Sequence, residues 1–231
     1  MNTQPSTVIP SFGRRRGRKL RQSRSVLMET LLPELLITLP SAACNLQLTT
    51  LLPNPRLPLW FEIGFGNGEH LVGQAMRNPG VNFIGVEPYI NGMASLLAAI
   101  DRHALTHIRI FDGDARALLE ALPDASIDRL FVLFPDPWPK ARHHKKRLVS
   151  VNSLALFHRK LKEGGRLRIA TDHADYCTSI LENLCICGKF TWSARVQADW
   201  SDPPADWVRT RYQEKAEAEG RKATFLEWVK A

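Results

Sequence analysis

The chain has 231 residues, of which 44% are hydrophobic and 23% charged, with a formal net charge of +8. That length fits one medium α/β domain with extensions and supplies enough apolar surface for a sizeable core. Pro33, Glu34 and Pro40 interrupt the best apolar run well short of the roughly 18 residues a membrane span needs, so no membrane partner is expected.

The first 28 residues carry no acid and seven basic side chains, Arg14, Arg15, Arg16, Arg18, Lys19, Arg21 and Arg24. Beyond them 24 basic residues face 23 acidic ones, so nearly all the excess charge sits in this arm. Residues 1–25 are read as a flexible basic arm and 26–231 as the folded domain. A second basic cluster further on favours a polyanion-binding arm over a solvated tail. The Arg- and Ser-rich, acid-poor composition also matches a transit peptide. The four cysteines, Cys44, Cys177, Cys185 and Cys187, form no CxxC pair and have no histidines at ligand spacing, which implies a reducing cytosol and no metal site.

Leu27, Leu31, Leu32, Leu35 and Leu36 recur at helical spacing and predict an amphipathic helix over 23–38. The stretch from Pro40 to Pro58 contains Pro40, Pro53, Pro55 and Pro58 and reads as linker. Strands then alternate with helices: strand 59–63, helix 70–77, strand 81–87, helix 89–103, strand 107–114, a helix through Leu122, and the strongly apolar strand 127–135. After a polar loop come a helix over 148–162 and a strand over 166–172. Such alternation predicts an α/β fold, a mainly parallel sheet with helices on both faces. Its crossovers are right-handed, so the strands' C-terminal ends share one ligand-binding edge. Acidic residues fall at those ends: Glu62, Glu87, Asp112 to Asp114, Asp136 and Asp172.

In FEIGFGNGEH, beginning at Phe61, Gly64, Gly66 and Gly68 form an ExGxGxG loop able to turn tightly and approach a ligand closely. A dinucleotide fingerprint, GxGxxG, would need glycine where Glu69 stands, and that carboxylate would repel a pyrophosphate. Glu87, 23 residues after Gly64, is placed to accept both hydroxyls of an adenosine ribose. Asp114 is placed to accept from an adenine amino group, or to cap the following helix. An acidic rim around Glu62 suits a cationic sulfonium that also carries an ammonium. Loop, ribose acid and adenine acid together specify S-adenosyl-L-methionine, and the arrangement resembles that of the Rossmann-like methyltransferases, which implies a Rossmann-like methyltransferase fold.

At the end of the fourth strand lies PDPWPKARHHKKR, residues 135–147. Lys140, Arg142, Lys145, Lys146 and Arg147 are read as phosphate contacts, and His143 and His144 as touching phosphate or solvent rather than acting as bases. Trp138 either stacks on a base or wedges the loop against the core. Asp136, and likewise Asp172, accepts the N1–H and N2–H donors of a guanine edge.

These segments, with GVEPY and TRYQ, resemble the tRNA guanine-N7 methyltransferase family over roughly residues 10 to 230. SFGRRRGR and LLPELLI also resemble that family's N-terminal region. The resemblance implies that Glu62, Glu87, Asp114 and Asp136 contact the cofactor, and that Asp136 is the catalytic residue. It implies substrate contacts from Lys140, Asp172, Thr210, Arg211, Tyr212 and Gln213, and an RNA-interaction loop over Arg142, His143, His144, Lys145, Lys146 and Arg147. The implied target is guanosine 46 of the tRNA variable loop, methylated in the cytoplasm by a monomer or homodimer that releases S-adenosyl-L-homocysteine and uses no metal. One position departs: the family's usual TxxE is here Thr210-Arg211-Tyr212-Gln213, which keeps a carbonyl acceptor and lacks the charge. The bland reading of this segment is an ordinary exposed helix from Trp207 to Glu219. Two rival readings remain: an exocyclic-amine methyltransferase, whose [DN]PP[YW] loop Asp136-Pro137-Trp138 lacks the second adjacent proline to match, and an RNA-binding protein with a vestigial cofactor fold.

Overall fold

The computed structural model describes residues 15–39 and 46–231; Arg14, Pro40 and Cys44 lie outside them. The proposed linker is only partly described, and its described part is not a free tether. It forms a short helix, and Leu52 is buried in the main core.

The chain enters through α1 (Gln22–Thr30) and α2 (Leu32–Leu35) in place of the single helix expected over 23–38. Pro33 has no N–H to donate and its ring would clash with the carbonyl one turn back, so the helix breaks at Leu31. Just beyond, Ile37 N–H donates to Ile110 O at 2.7 Å and fixes the segment along the sheet edge. The linker helix is α3 (Leu48–Leu51).

Then come β1 (Leu59–Ile63), α4 (Glu69–Arg77), β2 (Asn82–Val86), α5 (Ile90–His103), β3 (Ile108–Phe111), α6 (Ala115–Ala121) and β4 (Ile127–Leu133). A 3₁₀ helix over Ala141–Lys146 occupies the expected polar loop. Next are α7 (Val151–Lys160), β5 (Leu161–Thr171), α8 (Ala174–Cys187), β6 (Phe190–Trp192), α9 (Ala198–Ser201), α10 (Arg211–Ala218) and β7 (Thr224–Lys230).

Among the described residues the strands form one seven-stranded sheet in the order β3-β2-β1-β4-β5-β7-β6. β1 to β5 run parallel, and β7 pairs antiparallel with both β5 and β6. After β3 the chain returns to the other side of β1 to form β4. The order therefore reverses between β1 and β4, and a crevice opens outside their C-terminal ends. One face of the sheet is covered by α4 and α5 through Leu71, Ala75, Leu96, Leu97 and Ile100. The other is covered by α6, α7 and α8 through Leu118, Leu154, Phe157, Tyr176 and Ile180. Phe61 and Phe131 are buried on the central strands, each contributing roughly 1.5–3 kcal/mol of hydrophobic stabilisation.

β3 ends at Phe111 rather than 114 and β4 at Leu133 rather than 135, and the boundaries around α7 differ from expectation for local reasons. α7 starts at Val151 rather than at 148, because Ser150 and Ser153 form a reciprocal capping box. It stops at Lys160, and β5 begins at Leu161, its bend carried by Gly164 at φ +71°. Beyond Thr171, α8 presents only a narrow stripe, Tyr176, Ile180 and Leu184, to the core. Among the described residues no helix is long and apolar enough to cross a membrane.

Candidate active site

A cavity of about 510 Å³ fills the crevice at the order reversal, a volume within the usual range for cofactor sites. The loop after β1 forms its floor, with Gly64, Gly66 and Gly68 at φ +75°, +56° and +87°. Gly68 caps α4, and a Cβ there would lie 2.9 Å from Leu96 Cδ1. The closest approach is between the loop and α5: a Cβ on Gly92, in the first turn of α5, would sit 2.1 Å from Gly66 O.

Glu87, just past β2, accepts from Gly66 N–H at 2.9 Å and from Tyr89 N–H at 3.0 Å, so it ties the loop to the start of α5. Burial raises its carboxyl above the ordinary value, and the negative charges of Asp136 and Glu62 add to the rise. The two N–H donors pull it back only in part. Glu62, on β1, is 3% exposed and lies 2.7 Å from His70 Nδ1. Asp114 caps α6, accepting from Arg116 N–H at 2.9 Å, and the Arg116 guanidinium engages the same carboxylate. The helix-cap reading of Asp114 therefore holds, while the residue still faces the cavity.

The fourth wall is the loop after β4. Phe134 and Trp138 adopt φ +50° and +45°, two of the four non-glycine residues with positive φ in the described chain. Each such residue costs roughly 1–3 kcal/mol, a strain that concentrates where side chains must be aimed. Asp136 and Trp138 both line the cavity, and Lys146 Nζ sits 4.7 Å from the centre of the Trp138 ring.

The cavity brings together Glu62, Gly64, Gly66, Glu87, Asp114, Asp136, Lys146, Thr210 and Tyr212 of the sequence candidates. Others stand outside its wall. Asp172 is held by Arg221 at 2.7 Å and receives the Tyr212 hydroxyl at 3.4 Å. Gln213 is 3% exposed on α10, with both ends of its amide bonded. With Ala216 it forms the buried face of a helix whose other residues are exposed, as expected for this segment, although the helix begins at Arg211 rather than Trp207. Arg147 is buried: it donates to Pro137 O at 2.9 Å, pairs with Asp175, and covers the Tyr176 ring at 4.9 Å. It pins the loop onto α8 instead of facing outward with the exposed Arg142 and Lys145.

His70, Tyr89, Arg116 and Phe134 also line the cavity and were missed as site residues. Only the placement of His70 was legible, eight residues after Glu62 and on the first turn of the following helix. The residues present fit S-adenosyl-L-methionine: Glu62, Glu87 and Asp136 converge on one cavity, where a cationic ligand offsets their mutual repulsion.

A family model described as "Putative methyltransferase" matches residues 56–226. A tRNA (guanine-N(7)-)-methyltransferase of Agrobacterium fabrum is 45% identical over 219 residues, covering 95% of this chain and 94% of that protein. One of Zymomonas mobilis is 43% identical over 224 residues, covering 97% and 95%. Among solved structures, the 16S rRNA methyltransferase KamB superposes with a TM-score of 0.56 at 13% identity, over 75% of this chain and 88% of that one. An antibiotic-related methyltransferase gives 0.52 at 16%, over 74% and 86%. Those two establish the fold alone. With identity above 40% along nearly the whole length of both curated relatives, the chain belongs to the tRNA (guanine-N7)-methyltransferase family.

Proposed function

We propose that this chain methylates guanine N7 in tRNA, at guanosine 46 of the variable loop, using S-adenosyl-L-methionine. One observation carries the reading: an acid-walled cavity at the β1/β4 crevice is continuous, through Asp136, Trp138 and Lys146, with a basic loop suited to a phosphate backbone. Glu87 would accept the ribose hydroxyls, Asp114 the adenine amino group, and Glu62 the ammonium. When bound, the cofactor supplies an electrophilic methyl on a sulfonium.

Guanine N7 carries an in-plane lone pair and needs no deprotonation. It would take the methyl that the bound cofactor supplies, the lone pair forming the N–C bond while the C–S bonding pair would stay with sulfur in S-adenosyl-L-homocysteine. Positive charge thereby moves from sulfur to the purine, where the Asp136 carboxylate stabilises it. The residues act by alignment and electrostatics, and alignment alone corresponds to effective molarities of up to about 10⁵–10⁸ M in model reactions. Trp138 and Tyr212 offer aromatic surface to the base, and Asp136 accepts from its N–H edge.

The direct test incubates the protein with labelled cofactor and unmodified tRNA, then identifies and maps the modified nucleoside. N7-methylguanosine at position 46 is expected. Label in N6-methyladenosine would support the exocyclic-amine chemistry instead, and the absence of cofactor binding by calorimetry would favour a binding protein with a vestigial site.

A further inference from the structure

One buried titratable group at the cavity has no part in this chemistry. His70 is 1% exposed, its Nδ1 2.7 Å from Glu62 Oε2 and its Nε2 3.3 Å from Gln74 Nε2. The Gln74 amide nitrogen also lies 2.7 Å from Asp206 O. An amide has two hydrogens, one for the Asp206 carbonyl and one for His70 Nε2, so that ring nitrogen is the acceptor. The imidazole is then neutral, with its one proton on Nδ1 and donated to Glu62, a tautomer assigned from the bond pattern. The ring is held between Phe131 at 5.0 Å and Trp207 at 5.6 Å.

A buried carboxylate needs a donor. A lysine or arginine in this place would cancel the Glu62 charge and set a second cation against a cationic ligand. A neutral imidazole supplies the hydrogen bond and leaves the charge intact. By taking one carboxylate oxygen it also fixes the direction of the other.

We propose that His70 is a positioning residue for the cofactor, orienting Glu62 toward the ammonium of the methionine end. This rests on the cofactor assignment above. The test measures calorimetric binding of S-adenosyl-L-methionine and of 5′-methylthioadenosine, which lacks the amino-acid end, to the full-length protein. H70F keeps a ring without the donor. H70N sets an amide N–H where Nδ1–H was, and H70Q carries it one bond too far.

S-adenosyl-L-methionine affinity falls about tenfold or more in H70F and H70Q, as expected for a lost bond to a charged group, and stays within about threefold of wild type in H70N. Methylthioadenosine affinity is unchanged in all three, and the order of thermal midpoints does not follow the order of affinities. If H70F does not fold, the H70N and H70Q pair, both polar and ringless, carries the contrast. Equal loss for the two ligands, or affinity that tracks the thermal midpoint across the series, overturns the proposal. Wild-type protein that binds neither ligand refutes the cofactor assignment itself, and the proposal with it.

Discussion

The indole N–H of Trp207 donates to Gln213 Oε1 at 2.7 Å, while Gln213 Nε2 donates to Glu217 Oε1 at 2.8 Å. A neutral amide thus satisfies a donor on one side and a carboxylate on the other. Glutamate at this position would still accept from Trp207, but it would set a second carboxylate against Glu217. Gln213→Glu is therefore expected to destabilise the fold by about 1–3 kcal/mol at neutral pH. The introduced carboxyl has a folded-state pKa raised above its unfolded value by burial and by Glu217. The penalty is full above the folded value and disappears below the unfolded one. Thermal unfolding from pH 4 to 8 checks this: the variant converges on wild type at the acidic end. A pH-independent loss would mean that the fault is steric.

Arg147 and Lys145 are close in sequence and different in consequence. Arg147 is 7% exposed and bonded to the Pro137 carbonyl and Asp175, so Arg147→Ala should lower the thermal midpoint and kcat together as the Asp136 loop loosens. Lys145 is exposed, and Lys145→Ala should leave the midpoint unchanged while reducing the salt slope of tRNA affinity by about one unit. Filter binding over a range of salt, with melting curves alongside, separates the two. A reduced slope in Arg147→Ala with an unchanged midpoint would place that guanidinium on phosphate after all.

The acids around Glu87 predict a pH dependence for the cofactor. Burial, with Asp136 and Glu62 nearby, holds the Glu87 carboxyl above its ordinary value, and in the proposed role it is the ionised form that would accept both ribose hydroxyls. Affinity for S-adenosyl-L-methionine should therefore fall with decreasing pH through a value above the ordinary 4.5. Without ligand the sign is opposite: folding is favoured by the protonated form, and that contribution declines as pH rises through the raised value. Calorimetry at several pH values should show proton release on binding near the transition. Affinity that first drops only at or below 4.5 would remove Glu87 from this role.

The parallel core was legible because apolar strands alternate with helices from Leu59 to Thr171, and each of the five strands ends at or near an acid: Glu62, Glu87, Asp112, Asp136 and Asp172. The antiparallel β6 and β7 were not, since Trp192 and Trp228 meet only through a pairing that encloses the whole of α9 and α10. That Glu62, Glu87 and Asp114 would meet at one cavity could be read because glycine spacing fixes where β1 ends and each acid lies at or near a strand's end. The outer part of the site could not. Whether Arg147 faces RNA or Tyr176, and whether Gln213 faces substrate or Trp207, depends on contacts with α8 and with the 207–217 segment that no local pattern encodes.

Asp136 carries the sharpest prediction, because its proposed role is electrostatic. It lines the cavity in a strained loop, and Glu87 feels its charge. Asp136→Asn keeps size and shape, and still offers a carbonyl acceptor to the guanine edge, but removes the charge opposite the developing purine cation. A fall in kcat of about a hundredfold is expected, comparable to losing one preorganised group at a charge-developing atom, with tRNA affinity within about twofold of wild type. Because N7 needs no proton removed, kcat of the wild type should stay flat from about pH 6.5 to 8.5, where a general base with a pKa in that range would produce a rising limb. Single-turnover methylation across that range tests both statements. Full turnover in Asp136→Asn with unchanged tRNA affinity would mean that the carboxylate stabilises nothing in the transition state, and a rising limb that the variant abolishes would make Asp136 part of a proton-transfer step instead.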